Sequence, residues 1–297
     1  GLTTMAIGTD TGGSVRLPAA WNGHFGLKTS LGRFSVHGVL PLAESLDTPG
    51  PMTRSSEDAA LLYNALQGPD PNDPLTYRPP YRDPLPELKL GLEGLRVGIM
   101  PDCDRDGVNP EILDAYDAAL KICETSGAQL VQIKLPVPIK DLAGPVGNII
   151  HAEGYAHYSH LVDDPASPLD EDVRARLASA KNSSASDYVV ANREQQKLIK
   201  AFHDAAANVD VVLTPTTSEP APVVTEIDQT ATPALFTRAV NMAEMCACAV
   251  PIGFSSGGLP LSAQFVAAYG SEPLALRAAW GYEKASGWSI PTPEGFK

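Results

Sequence analysis

The chain is poor in cysteine, has no long apolar run and nowhere concentrates positive charge. Its four cysteines, Cys103, Cys123, Cys246 and Cys248, show no C-x-x-C spacing and are too few to scaffold 297 residues. A disulfide framework and a zinc site are therefore not expected, and buried free thiols are. No stretch approaches the roughly 18 apolar residues of a membrane span, and no charged-then-apolar segment opens the sequence. No membrane role is expected, and a cytoplasmic location is. Lys and Arg total 22 against 35 Asp and Glu, a net charge of −13 that repels phosphate backbones and anionic lipid surfaces. The basic residues between Arg193 and Lys200 interleave with Glu194, Gln195 and Gln196, as on a solvated helix face. Direct nucleic-acid binding is not expected, and there is no internal repeat.

What the chain does have is alternation of helical and strand patterns. Ser55 with Glu57 and Asp58 caps a helix through Leu66, closed by Gly68-Pro69. Residues 68–94 carry seven prolines and are expected to be an extended surface connection. A short run at 95–100, helical spacing over 109–126 and a second run at 129–133 predict a βαβ unit with a parallel strand pair. Three helices are expected between Ile139 and Asn208. A strand at 209–213, a helix at 235–245, strands at 249–252 and 261–267 and a final helix at 272–285 follow. The pattern predicts an α/β fold, a mixed sheet flanked by helices. The first fifty residues, rich in Gly, Ser, Thr and Pro with few charges, are expected to form close-packed turns around a site.

The sharpest feature lies there: Gly8-Thr9-Asp10-Thr11-Gly12-Gly13-Ser14-Val15-Arg16-Leu17-Pro18-Ala19. Paired glycines leave backbone N–H groups unshielded by Cβ, which suits a turn that holds an anion, and a hydroxyl beside such donors is what acyl transfer requires. Arg16 stands where a G-x-S-x-G elbow has glycine, and no G-K-[ST] follows, so neither that elbow nor a phosphate loop is present. On composition alone such a turn is more often structural than catalytic. Asp10 and Arg16 flank Ser14 and are expected to form an ion pair or hydrogen-bond brace. His151, His157 and His160 raise the question of a metal, but of these only His157 and His160 share a helical face. Glu153 and His157, one turn apart, are expected to pair locally.

The Gly8–Ala19 stretch resembles the most distinctive segment of the amidase signature family. Gly26-Leu27-Lys28-Thr29, Ser45-Leu46-Asp47-Thr48-Pro49-Gly50-Pro51, Glu153-Gly154-Tyr155-Ala156, Val211–Thr216 and Pro251–Leu261 are similar to that family's later segments in order and spacing. The resemblance implies a serine, bridging serine and lysine triad, with Ser14 as nucleophile and Thr11, Gly12 and Gly13 as oxyanion donors. It implies no cofactor and no metal, a small-molecule amide substrate, and admits a homodimer. The bridging serine, held by a cis peptide bond, and the lysine have no matching position; Lys28 matches a family lysine that is not the base. The chain is accordingly expected to be the later part of one amidase-signature domain over 1–297, incomplete at the N-terminus, and inactive by itself.

The function expected is hydrolysis of a carbon–nitrogen amide bond through a serine acyl-enzyme. The glutamine-processing subunit of a tRNA-dependent amidotransferase is the first alternative. That subgroup's Arg-Arg and Tyr-x-Leu-Ser segments are replaced here by Val173-Arg174-Ala175-Arg176 and Ala185-Ser186-Asp187-Tyr188. A catalytically silent fragment is the other. Asn241 with Cys246–Pro251 is slightly more similar to allophanate hydrolases than to the usual form.

Overall fold

The computed structural model describes residues 3–78, 80–227 and 233–289. Its frame is an eight-stranded mixed sheet in the order β1-β3-β2-β7-β8-β6-β4-β5. In chain order these are β1 (Met5–Asp10), β2 (Phe25–Lys28), β3 (Thr48–Thr53), β4 (Arg96–Ile99), β5 (Gln129–Gln132), β6 (Val211–Pro215), β7 (Cys246–Phe254) and β8 (Pro260–Ala267). Strand β4 runs parallel to both β5 and β6, and every other pairing is antiparallel. The helices are α1 (Arg16–Trp21), α2 (Ser56–Leu66), α3 (Leu85–Leu88), α4 (Pro110–Thr125), α5 (Ala143–Val162), α6 (Glu171–Ala178), α7 (Ala185–Ala206), α8 (Leu235–Met242) and α9 (Glu272–Ser286).

Local chemistry accounts for several helix boundaries. The Ser55 hydroxyl accepts the Asp58 amide at the start of α2, and Asn109 accepts the Glu111 amide ahead of Pro110 in α4. Ser184 and Asp187 form a reciprocal capping box on α7. Gly127 ends the α4 segment at φ +93°. The helix expected to run to 245 stops at Met242, and Glu244 then turns back with φ +52°.

The parallel β4–β5 pair joined by α4 is the expected βαβ unit. Strands β1, β2 and β3 are not expected from the sequence, because residues 1–50 carry glycine and proline in place of β-branched alternation. Strand β3 reads Thr-Pro-Gly-Pro-Met-Thr, yet it lies between β1 and β2. Proline cannot donate to a ladder. Strand β2 meets β3 only at Met52 and Thr53, beyond both prolines. Gly50 explains the rest: a Cβ there would sit 2.0 Å from the Leu27 carbonyl oxygen, so the two strands approach where only hydrogen fits. Strand β7 begins three residues earlier than expected, its burial being complete from Cys246 to Pro251. The proline-rich 68–94 segment contains a 3-10 turn at Pro74–Tyr77 and α3.

The main core is a continuous cluster that includes Val97, Ile112, Tyr116, Leu213, Phe236, Phe265, Leu276 and Tyr282. Each such side chain contributes about 1.5–3 kcal/mol through burial. Cys123, Cys246 and Cys248 are buried free thiols; Cys103, expected to be buried with them, is exposed. Burial pushes all three buried thiols well above their ordinary pKa, with Cys123 raised to about 12. No helix among the described residues is long and apolar enough to cross a membrane.

Helix α9 packs on the 91–92 turn through Gly281. A Cβ at Gly281 would lie 2.6 Å from the Leu92 nitrogen and 2.8 Å from Gly91 backbone atoms, none of which is a side-chain end that can swing away. Alanine is favoured over glycine in a helix by about 1 kcal/mol, whereas overpacking costs about 1–3 kcal/mol. The clash wins here: Gly281→Ala is expected to lower the urea midpoint, and a raised midpoint would show that α9 can shift off the turn.

Candidate active site

Asp10 ends β1, and the chain then turns through Thr11–Val15 into α1. The Asp10 carboxylate is fully buried. It accepts the amides of Gly13 at 2.8 Å, Val15 at 3.3 Å and Arg16 at 3.4 Å, folding the turn back over its own root. Gly13 adopts φ +134°, a region closed to side chains, and a Cβ there would meet Thr237 Oγ1 at 2.3 Å. The second glycine of the pair is thus required twice over. The Thr237 hydroxyl donates to the Gly12 carbonyl at 2.8 Å and fixes the opposite side of the turn.

Arg16 completes the clamp. Its side chain is fully buried; Nε and Nη2 donate to Asp10 Oδ2 and Oδ1 at 3.0 and 2.9 Å, a bidentate pair. The guanidinium also donates to Gln264 Oε1 at 2.9 Å, to the Thr237 carbonyl at 3.0 Å and to Asn241 Oδ1. Asn241 Nδ2 returns to Asp10 Oδ1 at 3.0 Å. Gln264 on β8 donates onward to Thr214 Oγ1 on β6 at 3.1 Å. On the other flank Thr11 Oγ1 donates to Asp47 Oδ1, and Asp47 Oδ2 accepts the Leu42 and Ala43 amides at 2.7 and 3.0 Å. Burial by itself would raise the Asp10 pKa; the Arg16 charge and hydrogen bonds, helped by Lys28 and Asn241, outweigh it and hold the carboxyl at about 2.

On this clamped turn Ser14 is exposed while Gly13, Val15 and Arg16 on either side are buried. The Gly13 amide, expected to face an oxyanion, is instead taken up by Asp10. Lys28 is buried and its pKa is lowered to about 8, chiefly by burial and then by Arg16, with Asp10 opposing. Its Nζ donates to the carbonyls of Thr29 and Met245 at 2.8 and 3.0 Å, so the amine is occupied within the sheet. Glu153 does not pair with His157. It accepts the Ser45 amide and hydroxyl at 3.0 and 2.6 Å and the Tyr188 hydroxyl at 2.7 Å, while His157 faces Glu44 at 3.5 Å. His151 instead meets Ser179 Oγ at 3.0 Å. Among the described residues no group of three or more His, Cys, Asp and Glu side chains is arranged to hold a metal.

A family model for amidases matches residues 1–276. The chain belongs to the amidase signature family. Among curated proteins it is similar to a glutamyl-tRNA(Gln) amidotransferase subunit of Trichlorobacter lovleyi, at 33% identity covering 95% of this chain and 64% of that protein. The same-named protein of Pseudomonas syringae pv. tomato is also 33% identical, covering 99% and 66%. Among solved structures, the corresponding glutamyl-tRNA(Gln) amidotransferase subunit of Thermotoga maritima superposes with a TM-score of 0.84 at 29% identity, covering 99% of this chain and 66% of that one. A peptide amidase in complex with the competitive inhibitor chymostatin gives 0.83 at 28%, covering 98% and 64%. The chain therefore spans about two thirds of the length of these relatives. Sequence reasoning misses Thr237, Asn241 and Gln264 as parts of the site; the i, i+4 spacing of Thr237 and Asn241 on α8 is the one available signal.

Removing one partner of a buried ion pair strands the other, at a cost of about 3–5 kcal/mol. Arg16→Met is expected to lose about that much in denaturant unfolding at pH 7. The pH dependence should also change sign. With Arg16 present, the Asp10 pKa falls from 3.8 to about 2, so this stability is full above pH 3.8 and is lost as pH falls toward 2. Without Arg16, burial raises the Asp10 pKa, and the variant should gain stability on going from pH 7 to 4. A loss under 1 kcal/mol, or a variant equally stable at both pH values, would show that the clamp is not what holds the turn.

Proposed function

We propose that the protein is an amide hydrolase in which Ser14 forms the acyl-enzyme. The observation that carries this reading is an exposed serine on a glycine turn whose backbone is locked by a buried Asp10–Arg16 pair. The Ser14 oxygen bonds to the amide carbon, its proton passes to a base, and the carbon–nitrogen bond breaks as the amine leaves with a proton. Water then attacks the ester and the acid departs. With the Gly13 amide occupied, the oxyanion falls to the amides of Thr11, Gly12 and Ser14. The base is the lysine, relayed through a bridging serine, that the family resemblance implies and that has no match in this sequence; Lys28, held by two carbonyls, does not supply it. The relatives' greater length is consistent with that assignment.

A second reading is favoured by the curated relatives themselves, which are glutamyl-tRNA(Gln) amidotransferase subunits at 31–33% identity. On that reading Ser14 attacks the side-chain amide of glutamine and the ammonia goes to a partner protein. The chemistry at Ser14 is the same in both, and only the fate of the nitrogen differs.

In enzyme that turns over amides, Ser14→Ala is expected to lower kcat by at least about 10³-fold with the melting temperature unchanged, since the change removes the nucleophile but little volume. Retained turnover would place the nucleophile elsewhere. Ammonia release from glutamine that rises severalfold on adding an amidotransferase partner, while simple amides stay poor substrates, would select the second reading.

A further inference from the structure

We infer that Asp47 is a positioning residue: acting through the Thr11 hydroxyl, it aims the Gly12 amide at the oxyanion that forms when Ser14 attacks. This rests on the reading of Ser14 as nucleophile. Of the three amides left to the oxyanion, that of Gly12 is the one the local chain does least to direct, because a residue without Cβ restrains neither its φ nor its ψ. Its orientation is set by what holds the peptides on either side. On the C-terminal side the Gly12 carbonyl accepts the Thr237 hydroxyl at 2.8 Å and the Gly13 amide goes to Asp10 at 2.8 Å. Between them Asp10 and Thr237 hold Gly12, Gly13, Val15 and Arg16. On the N-terminal side Thr11 is held through its hydroxyl, which donates to Asp47 Oδ1. A valine would fill the volume of this buried threonine; what the hydroxyl adds is direction.

Asp47 is buried, and where Asp10 is met by a guanidinium, Asp47 is met by neutral donors: the Thr11 hydroxyl on Oδ1 and the Leu42 and Ala43 amides on Oδ2 at 2.7 and 3.0 Å. The two oxygens have separate tasks. Oδ2 closes a tight turn in which the Ala43 carbonyl also accepts the Leu46 and Asp47 amides at 2.9 and 2.8 Å. That turn is fastened to α5 at three points. The Tyr158 hydroxyl donates to the Pro41 carbonyl, Glu153 accepts the Ser45 amide and hydroxyl, and a Cβ on Gly154 would come within 3.2 Å of Leu42 Cδ1. Helix α5 also flanks Gly12 directly, with Ile150 Cδ1 3.5 Å from the point that a Cβ there would occupy. The sheet and α8 therefore fix the turn from Gly12 onward, and α5, by way of Asp47, fixes it before Gly12. Donors stabilise a transition state only when held within about 0.5 Å of their productive position, so an amide anchored on one side alone is a weaker donor.

The test is the rate at which a fluorophosphonate modifies Ser14, since the phosphonyl oxygen takes the place of the oxyanion. In Thr11→Val and in Asp47→Asn the maximal rate is expected to fall roughly tenfold or more with the half-saturating reagent concentration unchanged, because the donor acts on the transition state. The Asp47→Asn side chain keeps an oxygen for the Leu42 and Ala43 amides, and melting curves are recorded for each variant to exclude unfolding. The double variant should be no slower than Thr11→Val, since Asp47 acts through that hydroxyl, and Thr11→Ser, which retains it, should recover part of the loss. Losses that multiply in the double variant overturn the inference, as does a Thr11→Ser protein no faster than Thr11→Val. Unchanged rates in the folded single variants overturn it too, and Asp47→Asn alone decides if Thr11→Val does not fold. All of these leave Ser14 as the nucleophile. An adduct on another residue of the parent, or none, removes that reading and the inference with it.

Discussion

Everything at the candidate site depends on one buried carboxylate. Asp10 sits at the end of β1, accepts the amides of Gly13, Val15 and Arg16, and receives the Arg16 side chain in two further bonds. A carboxylate with that many donors does two things. It sets the path of the turn, because amides separated along the chain must converge on one group. It also leaves Ser14, lying between those amides, with no route but outward. The serine is exposed because its neighbours are tied down, and an exposed hydroxyl on a rigid loop is what a nucleophile needs.

The clamp is costly to bury and so must be satisfied. Removing a carboxylate and a guanidinium from water carries a penalty of several kcal/mol per ion, recovered only when geometry and additional hydrogen bonds are good. Here Gln264, Asn241 and the Thr237 carbonyl take the remaining Arg16 donors, and Gln264 is in turn bonded to Thr214. Strands β1, β6 and β8 and helices α1 and α8 thereby meet at one pair of charges. The pair contributes specificity of position more than net stability, since an apolar substitute of the same shape would give up the turn.

Helices α2 and α4 to α9 and the βαβ unit are legible in the sequence because caps and 3.6-residue spacing are local, whereas α1 and α3 lie in segments that read as turns and as an extended connection. Ser55, Asn109 and Gly127 each mark an end by their own chemistry. The strands β1, β2 and β3 are not legible, because β3 contains two prolines and two-residue alternation is absent; its place is set by the fit of Gly50 against Leu27, a tertiary fact. At the site, Ser14, Asp10 and Arg16 are legible as a motif, whereas Gln264 lies 248 positions from Arg16 and nothing local announces it. What occupies the Gly13 amide is likewise not legible. That amide looks available from the sequence, and the Asp10 side chain three residues earlier is its acceptor. Glu153 and His157, at helical spacing, are each drawn off by a partner from another segment.

If the Asp10 carboxylate is what presents Ser14, then the reactivity of that serine must depend on a group that never touches the substrate. Peptide mapping by mass spectrometry after treatment with a fluorophosphonate, in protein that turns over amides, measures this directly. The adduct should fall on Ser14, and Asp10→Asn should slow its formation by on the order of tenfold or more while the protein stays folded. An adduct on another residue, or Ser14 labelled at an unchanged rate in a folded Asp10→Asn variant, would contradict it.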